Sequence, residues 1–155
     1  VKGVPLYELF GGSVRYGVEN YLSVSEISIS RVQDRLKAGD LSRKVIQLKL
    51  GIGSLSDDVE QVALVLNNLT NRQILLADAN GKWSVGQACE VISKVDDPRV
   101  IWEEPCSAYD QNTEVAGLTG KAVMVDQCVG EVVLAKRAAD EGVVSSLTIK
   151  PAYLG

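Results

Sequence analysis

The sequence contains no histidine. Every Ser-His and Cys-His nucleophilic mechanism is therefore excluded, and proton transfer near neutral pH must fall to lysine, carboxylate, tyrosine or cysteine. Cysteine is scarce: Cys89, Cys106 and Cys128 are odd in number, widely spaced and without a CxxC pair. That pattern suggests neither a disulfide framework nor a zinc knuckle, and it fits a reducing cytoplasm. Basic charge is in deficit, with sixteen Lys and Arg against twenty Asp and Glu and a formal charge of -4. The chain offers no electrostatic footprint for nucleic acid or an anionic membrane surface. No apolar run approaches the roughly 18 residues of a membrane helix, and Val1 to Leu9 lack the basic-then-apolar build of a signal peptide. A cytoplasmic protein with neither nucleic acid nor membrane as partner is expected.

What is present is material for one core. The chain has 155 residues, 46% apolar and 23% charged, as in one globular domain or part of one. Short β-branched runs recur at Tyr21 to Ser25, Val45 to Lys49, Ile74 to Asp78, Val100 to Glu103, Ala122 to Asp126 and Leu147 to Lys150. Helical patterns separate them, and strands alternating with helices predict an α/β fold with a parallel sheet. Ser30-x-x-Gln33 and Ser84-x-x-Gln87 read as capping boxes, and Val85, Ala88, Ile92 and Val95 form one apolar helix face. Gly39 and Gly142 supply helix stops, and Gly11-Gly12 reads as a helix end and turn. Nothing reads as a linker or low-complexity segment. Six βα units fall short of the eight that close a barrel of about 250 residues, so the spacing allows an open doubly wound sheet or part of a barrel.

The last polar residues of the six strands are Ser25, Lys49, Asp78, Glu103, Asp126 and Lys150. Three carboxylates, Asp78, Glu103 and Asp126, thus end three successive strands, at the sheet edge where βα loops build sites. Converging there, they would repel one another unless a hard divalent cation neutralised them, and oxygen-only ligands point to Mg²⁺ rather than zinc. The plainer alternative is that acidic residues end strands and cap helices. Lys49 and Lys150 end the second and sixth strands, across the opening of a closed barrel. A lysine acts as a base where a nearby cation and burial favour the neutral amine; otherwise it is a solvated charge. Gln47 shares a face with Lys49, and Asn80 with Asp78. Trp83 reads as a packing residue, Cys106 and Cys128 as buried thiols rather than nucleophiles, and Asp96-Asp97 as a solvated turn. Tyr109 and Tyr153 are left undecided between site and structure.

The wording around these positions resembles the enolase superfamily, in its muconate-lactonizing-enzyme subgroup. The motifs are Pro5-Leu6-Tyr7-Glu8-Leu9-Phe10-Gly11-Gly12, Gln47-Leu48-Lys49-Leu50-Gly51, Asp78-Ala79-Asn80-Gly81-Lys82-Trp83, Trp102-Glu103-Glu104-Pro105-Cys106, Val125-Asp126-Gln127 and Ile149-Lys150. They follow in the family's order over nearly the whole chain. The resemblance implies a TIM-type (β/α)8 barrel with Asp78, Glu103 and Asp126 as Mg²⁺ ligands. Glu103, not Glu104, is the implied ligand. Lys49 and Lys150 are implied as acid/base residues on opposite faces of a small carboxylate substrate, with Gln47 and Asn80 as substrate-binding residues. The implied reaction is abstraction of the α-proton through an enediolate, giving racemisation, epimerisation or cycloisomerisation. A dehydratase of the same superfamily shares that first step, and a non-catalytic divalent-metal-binding α/β module is the alternative from another class. The mandelate-racemase branch uses a His-Asp pair, which this chain lacks. The subgroup's usual Lys-x-Lys is here Gln47-x-Lys49, a neutral substitution that alters specificity or the strength of Lys49 as a base. Glu104-Pro105-Cys106 is similar to proline-derivative epimerases and dehydratases of the subgroup.

Against that family, the expectation is a piece of a longer protein. Residues 1–20 would be the join from a capping domain, and residues 21–155 the first six barrel units, with the capping domain and last two units lying outside the sequence. The parent protein is expected to be a homo-oligomer. The open sheet edges of the isolated piece predict poor solubility or association.

Overall fold

The computed structural model describes residues 3–9, 11–12 and 17–150. After a short helix α1 (Leu6–Leu9), strands and helices alternate. They are β1 (Leu22–Val24), α2 (Ile29–Ala38), β2 (Val45–Lys49), α3 (Leu55–Asn68), β3 (Ile74–Asp78) and α4 (Val85–Ser93). The second half continues with β4 (Val100–Glu103), α5 (Tyr109–Thr119), β5 (Val123–Val125), α6 (Val132–Glu141) and β6 (Ser146–Leu147). All pairings are parallel and the strand order is that of the sequence. A doubly wound sheet would reverse its order at a switch point; this one never does. The helices pack neighbour on neighbour, α2 on α3, α3 on α4 and α4 on α5. The architecture is a partial (β/α)8 barrel of six units. Among the described residues no helix is long and apolar enough to cross a membrane.

The register explains the core. Val24, Leu48, Ala77, Trp102 and Val123 are aligned partners across β1 to β5, and all are almost fully buried. This row meets the apolar faces of the helices, including Val32 and Leu36 of α2, Val62 and Val65 of α3, and Ala88, Val91 and Ile92 of α4. Trp102 also packs a tilted ring against Trp83, with centroids 6.2 Å apart. Burial at about 25 cal/mol per Å² of apolar surface makes this row the main stabilising feature.

Local signals mostly held. Ser84 and Gln87 form a reciprocal capping box on α4, and Gly142 closes α6 in the left-handed conformation. Gly11 and Gly12 both adopt positive φ, and the Gly12 N–H returns to the Tyr7 carbonyl at 2.9 Å, the turn a glycine pair permits. Gly39 is the C-cap of α2, with extended φ and ψ. Two features differ from the sequence pattern. Ser30 and Gln33 lie inside α2, whose N-cap is Ser28 without a side-chain cap bond. The outer strands are shorter than their β-branched runs: β1 spans only Leu22–Val24, β5 Val123–Val125 and β6 Ser146–Leu147. Asp126 therefore follows β5 and Lys150 lies three residues past β6, where the backbone leaves the ladder. A second capping box, Ser54 with Asp57, opens α3; an Asp in place of the usual Glu or Gln hid it.

Candidate active site

Alternation along a strand means that a row buried under helices is followed by a row on the opposite face. That next row is Lys49, Asp78, Glu103, Met124 and Ser146, again aligned partners. All of it but Ser146 borders a cavity of about 450 Å³ lined by Tyr21, Ser23, Gln47, Lys49, Leu76, Asp78, Glu103, Met124, Asp126, Thr148 and Lys150. The three carboxylates, both lysines and Gln47 therefore meet around one space. Asn80 is not on its wall. It stands behind, its side-chain oxygen 3.3 Å from the Lys49 ammonium and its N–H donating to Asp78 Oδ1 at 2.9 Å, with φ at 49°.

Two of the three acids are paired internally. The Lys49 ammonium pairs with Asp78 Oδ2, and Lys150 pairs with Asp126 Oδ2 at 2.5 Å. The Gln47 carboxamide nitrogen donates to Glu103 Oε2 at 2.9 Å and Asp78 Oδ2 at 3.3 Å. Glu103 is 4% exposed. Burial, helped by the charges of Asp78 and Asp126, pushes its carboxyl up to about 7, against the opposing Gln47 hydrogen bond and Lys49 charge.

A buried layer beneath holds these groups in place. Glu104, with φ at 43°, turns its side chain away from that of Glu103. Its carboxylate accepts the backbone N–H of Asp126 and, at 2.7 Å, that of Cys128. Asp58 accepts the Gly51 N–H at 3.0 Å and the Trp83 indole N–H at 3.3 Å. Burial raises the pKa of both acids. Gly51 is required where it stands: its φ is 75°, and a Cβ would fall 2.7 Å from the Lys82 Cβ. Asn112 grips both the N–H and the carbonyl of Cys106 at 2.8 Å. Burial pushes the Cys106 thiol up to about 11 and the Cys128 thiol up to about 12, so neither is a thiolate nucleophile near neutrality. Tyr109 bonds Glu141 at 2.7 Å and does not line the cavity; Tyr153 lies outside the described residues.

Tyr21, Ser23, Leu76, Met124 and Thr148 also line the cavity. Four have a signal in hindsight: Ser23, Leu76, Met124 and Thr148 stand two residues before a strand-end position, which a period of two sends to the same face. The role of Glu104 had no such signal, because its direction depends on the left-handed turn of its own backbone.

The donors fit a hard divalent cation. They are all oxygen, Asp126 Oδ1 is buried with no hydrogen-bond partner, and burial together with the neighbouring Asp78 and Asp126 charges disfavours the charged form of Glu103. Among the described residues no three acidic or thiol side chains are yet gathered tightly enough to hold an ion. In the present arrangement the two lysines neutralise two of the acids instead.

Comparison with known proteins agrees with this geometry. Residues 30–155 match the family described as enolase C-terminal domain-like. The fold is similar to that of an enolase-superfamily member from Roseovarius nubinhibens ISM, with a TM-score of 0.84 and 24% identity over 97% of this chain and 41% of that one. A structure of an enolase-superfamily member from the same organism complexed with magnesium gives the same values. Muconate lactonizing enzyme from Pseudomonas putida gives a TM-score of 0.81 at 23% identity, over 96% of this chain and 43% of that one. At such identities these structures speak for the fold alone. In sequence, the chain is 26% identical over 153 residues to cis-3-hydroxy-L-proline dehydratase of Roseibium aggregatum, covering 99% of this chain and 42% of that protein. The chain thus spans less than half the length of these relatives. Because the family match covers most of its residues, the chain belongs to the enolase C-terminal domain-like family of the enolase superfamily.

Proposed function

We propose that the protein abstracts the α-proton of a small carboxylate substrate with the help of Mg²⁺, giving racemisation, epimerisation or cycloisomerisation. One observation carries the reading: two lysines, Lys49 at the end of β2 and Lys150 beyond β6, border the same cavity as Asp78, Glu103 and Asp126. The three acids would hold the ion. When bound, Mg²⁺ supplies a Lewis acid to the substrate carboxylate, whose α-C–H is otherwise barely acidic.

The rest falls to the chain's own groups. An amine at each side of the α-carbon allows one lysine to remove the proton and the other, as an ammonium, to offset the charge of the enediolate. Proton return from the opposite side inverts the centre. The contacts to Asp78 and Asp126 aim the two ammonium groups before substrate arrives, and the Gln47 amide bridges Glu103 and Asp78.

A dehydratase is the second reading, favoured by the 26% identity to a hydroxyproline dehydratase. It shares the first step and then expels a β-hydroxyl. Incubation with Mg²⁺ and a panel of carboxylates in D₂O tests both. Replacement of the α-proton by deuterium is expected, with Lys49→Ala and Lys150→Ala each reducing exchange or turnover by roughly 100-fold or more. Release of water would select the dehydratase, and no exchange with any carboxylate would contradict both readings.

A further inference from the structure

Gln47 is held in one orientation by its neighbours. Its amide nitrogen stands 2.9 Å from Glu103 Oε2 and 3.3 Å from Asp78 Oδ2. A carboxamide carries two N–H donors, and both are used here. The flipped amide would set its oxygen against two carboxylate oxygens with no proton between them. The side-chain oxygen is therefore turned away from the acids, and it accepts no hydrogen bond from any described residue. It differs from Asp126 Oδ1 and Thr148 Oγ1, which are sealed and unpartnered; on the cavity wall it stays open. Gln47 thus presents an acceptor to whatever enters.

The charges on the wall point the same way. With one lysine as the neutral base, three carboxylates, one ammonium group and a divalent ion leave no net charge, so one substrate carboxylate makes the site negative by one and a second would make it negative by two. A lysine at position 47 would reverse both features, offering a donor and one further positive charge.

We infer that Gln47 determines specificity: it selects a monocarboxylate carrying an N–H or O–H donor close to the carboxylate and disfavours a dicarboxylate. The inference rests on the Mg²⁺-assisted carboxylate site proposed above. The matching substrates are amino or hydroxy acids, their donor placed on the Gln47 oxygen while the carboxylate faces the ion.

Ligand-observed NMR titrations of the protein in excess Mg²⁺ test it with three probes. L-proline and cyclopentanecarboxylate share a ring and a carboxylate but differ in the ring nitrogen, and glutarate adds a second carboxylate. L-proline is expected to bind about fivefold more tightly than either of the others, the worth of one net hydrogen bond. Gln47→Lys should favour glutarate over proline, and Gln47→Met should erase the difference between proline and cyclopentanecarboxylate. Thermal unfolding and Mg²⁺ titration of each variant check that the site still forms. Wild-type protein binding cyclopentanecarboxylate or glutarate as tightly as proline would overturn the inference and leave the proposed function standing. So would an unchanged order in both folded variants. If none of the three bound in a Mg²⁺-dependent way, the proposed function would fall together with the inference.

Discussion

The two sides of the sheet are built differently. Strands β2, β3 and β4 have five, five and four residues and rest on one large cluster shared with α2 to α5. Strands β5 and β6 have three and two; Val123 still joins the large cluster, but Val125 belongs to a small one with Tyr109, Val129 and Ala138. The candidate site crosses this boundary. Lys49, Asp78 and Glu103 end the long strands, whereas Asp126 and Lys150 follow the short ones. On the first side, position is set by burial of alternate residues. On the second, it is set by buried side chains gripping backbone, as Glu104 does at Asp126 and Cys128. One sheet can therefore fix half of a site through its core and the other half through polar contacts.

The largest expected effect sharpens that contrast. Trp102→Ala should destabilise the protein by about 4 kcal/mol in urea unfolding, since it empties the centre of the large cluster. Val129→Ala, in the small one, should cost about 1 kcal/mol. Equal losses would mean that the two sides are not differently built.

Next comes pH. The Glu103 carboxyl titrates at about 7 in the folded protein, above its ordinary value of 4.5. The folded state therefore holds this proton more tightly than the unfolded chain does. Its contribution is fully present below 4.5 and is lost as pH rises through 7, lowering stability by up to about 3 kcal/mol in the absence of metal. Urea unfolding across this range should show the fall, and Glu103→Gln should remove most of it. Asp58 and Glu104, also raised by burial, leave a residual slope of the same sign. A profile rising from pH 4.5 to 7 would contradict this.

The smallest effect compares the two ion pairs. Lys49→Ala leaves Asp78, 1% exposed, without its cation, at a cost of about 2 kcal/mol. Lys150→Ala removes a partner that is 40% exposed, and solvent screening limits the loss to about 1 kcal/mol or less. Metal-free thermal unfolding of both variants measures the difference; a larger loss for Lys150→Ala would reverse the comparison.

The same division separates what the sequence made legible from what it hid. Val45 to Lys49, Ile74 to Asp78 and Val100 to Glu103 are β-branched or apolar runs that coincide with their strands, because burial on the helix side imposes a plain pattern. At β5 and β6 the β-branched run outlasts the ladder, so Asp126 and Lys150 are close to the site for reasons of loop geometry that composition does not encode. The convergence of Lys49, Asp78 and Glu103 could be read because each stands at a strand end. The service of Glu104 beneath Asp126 could not, since it follows from a positive φ at a residue that rarely adopts one. Nor could the direction of the Gln47 amide, which two neighbouring strands decide together.

The proposed function requires Asp78, Glu103 and Asp126 to hold one divalent ion. Calorimetric titration of Mg²⁺ at about pH 8, above the Glu103 transition, tests it directly. One Mg²⁺ per chain is expected in the wild type, weakened roughly tenfold or more by each of Asp78→Asn, Glu103→Gln and Asp126→Asn, the loss of one charged oxygen ligand. Absence of Mg²⁺ binding, or binding indifferent to all three substitutions, would contradict it.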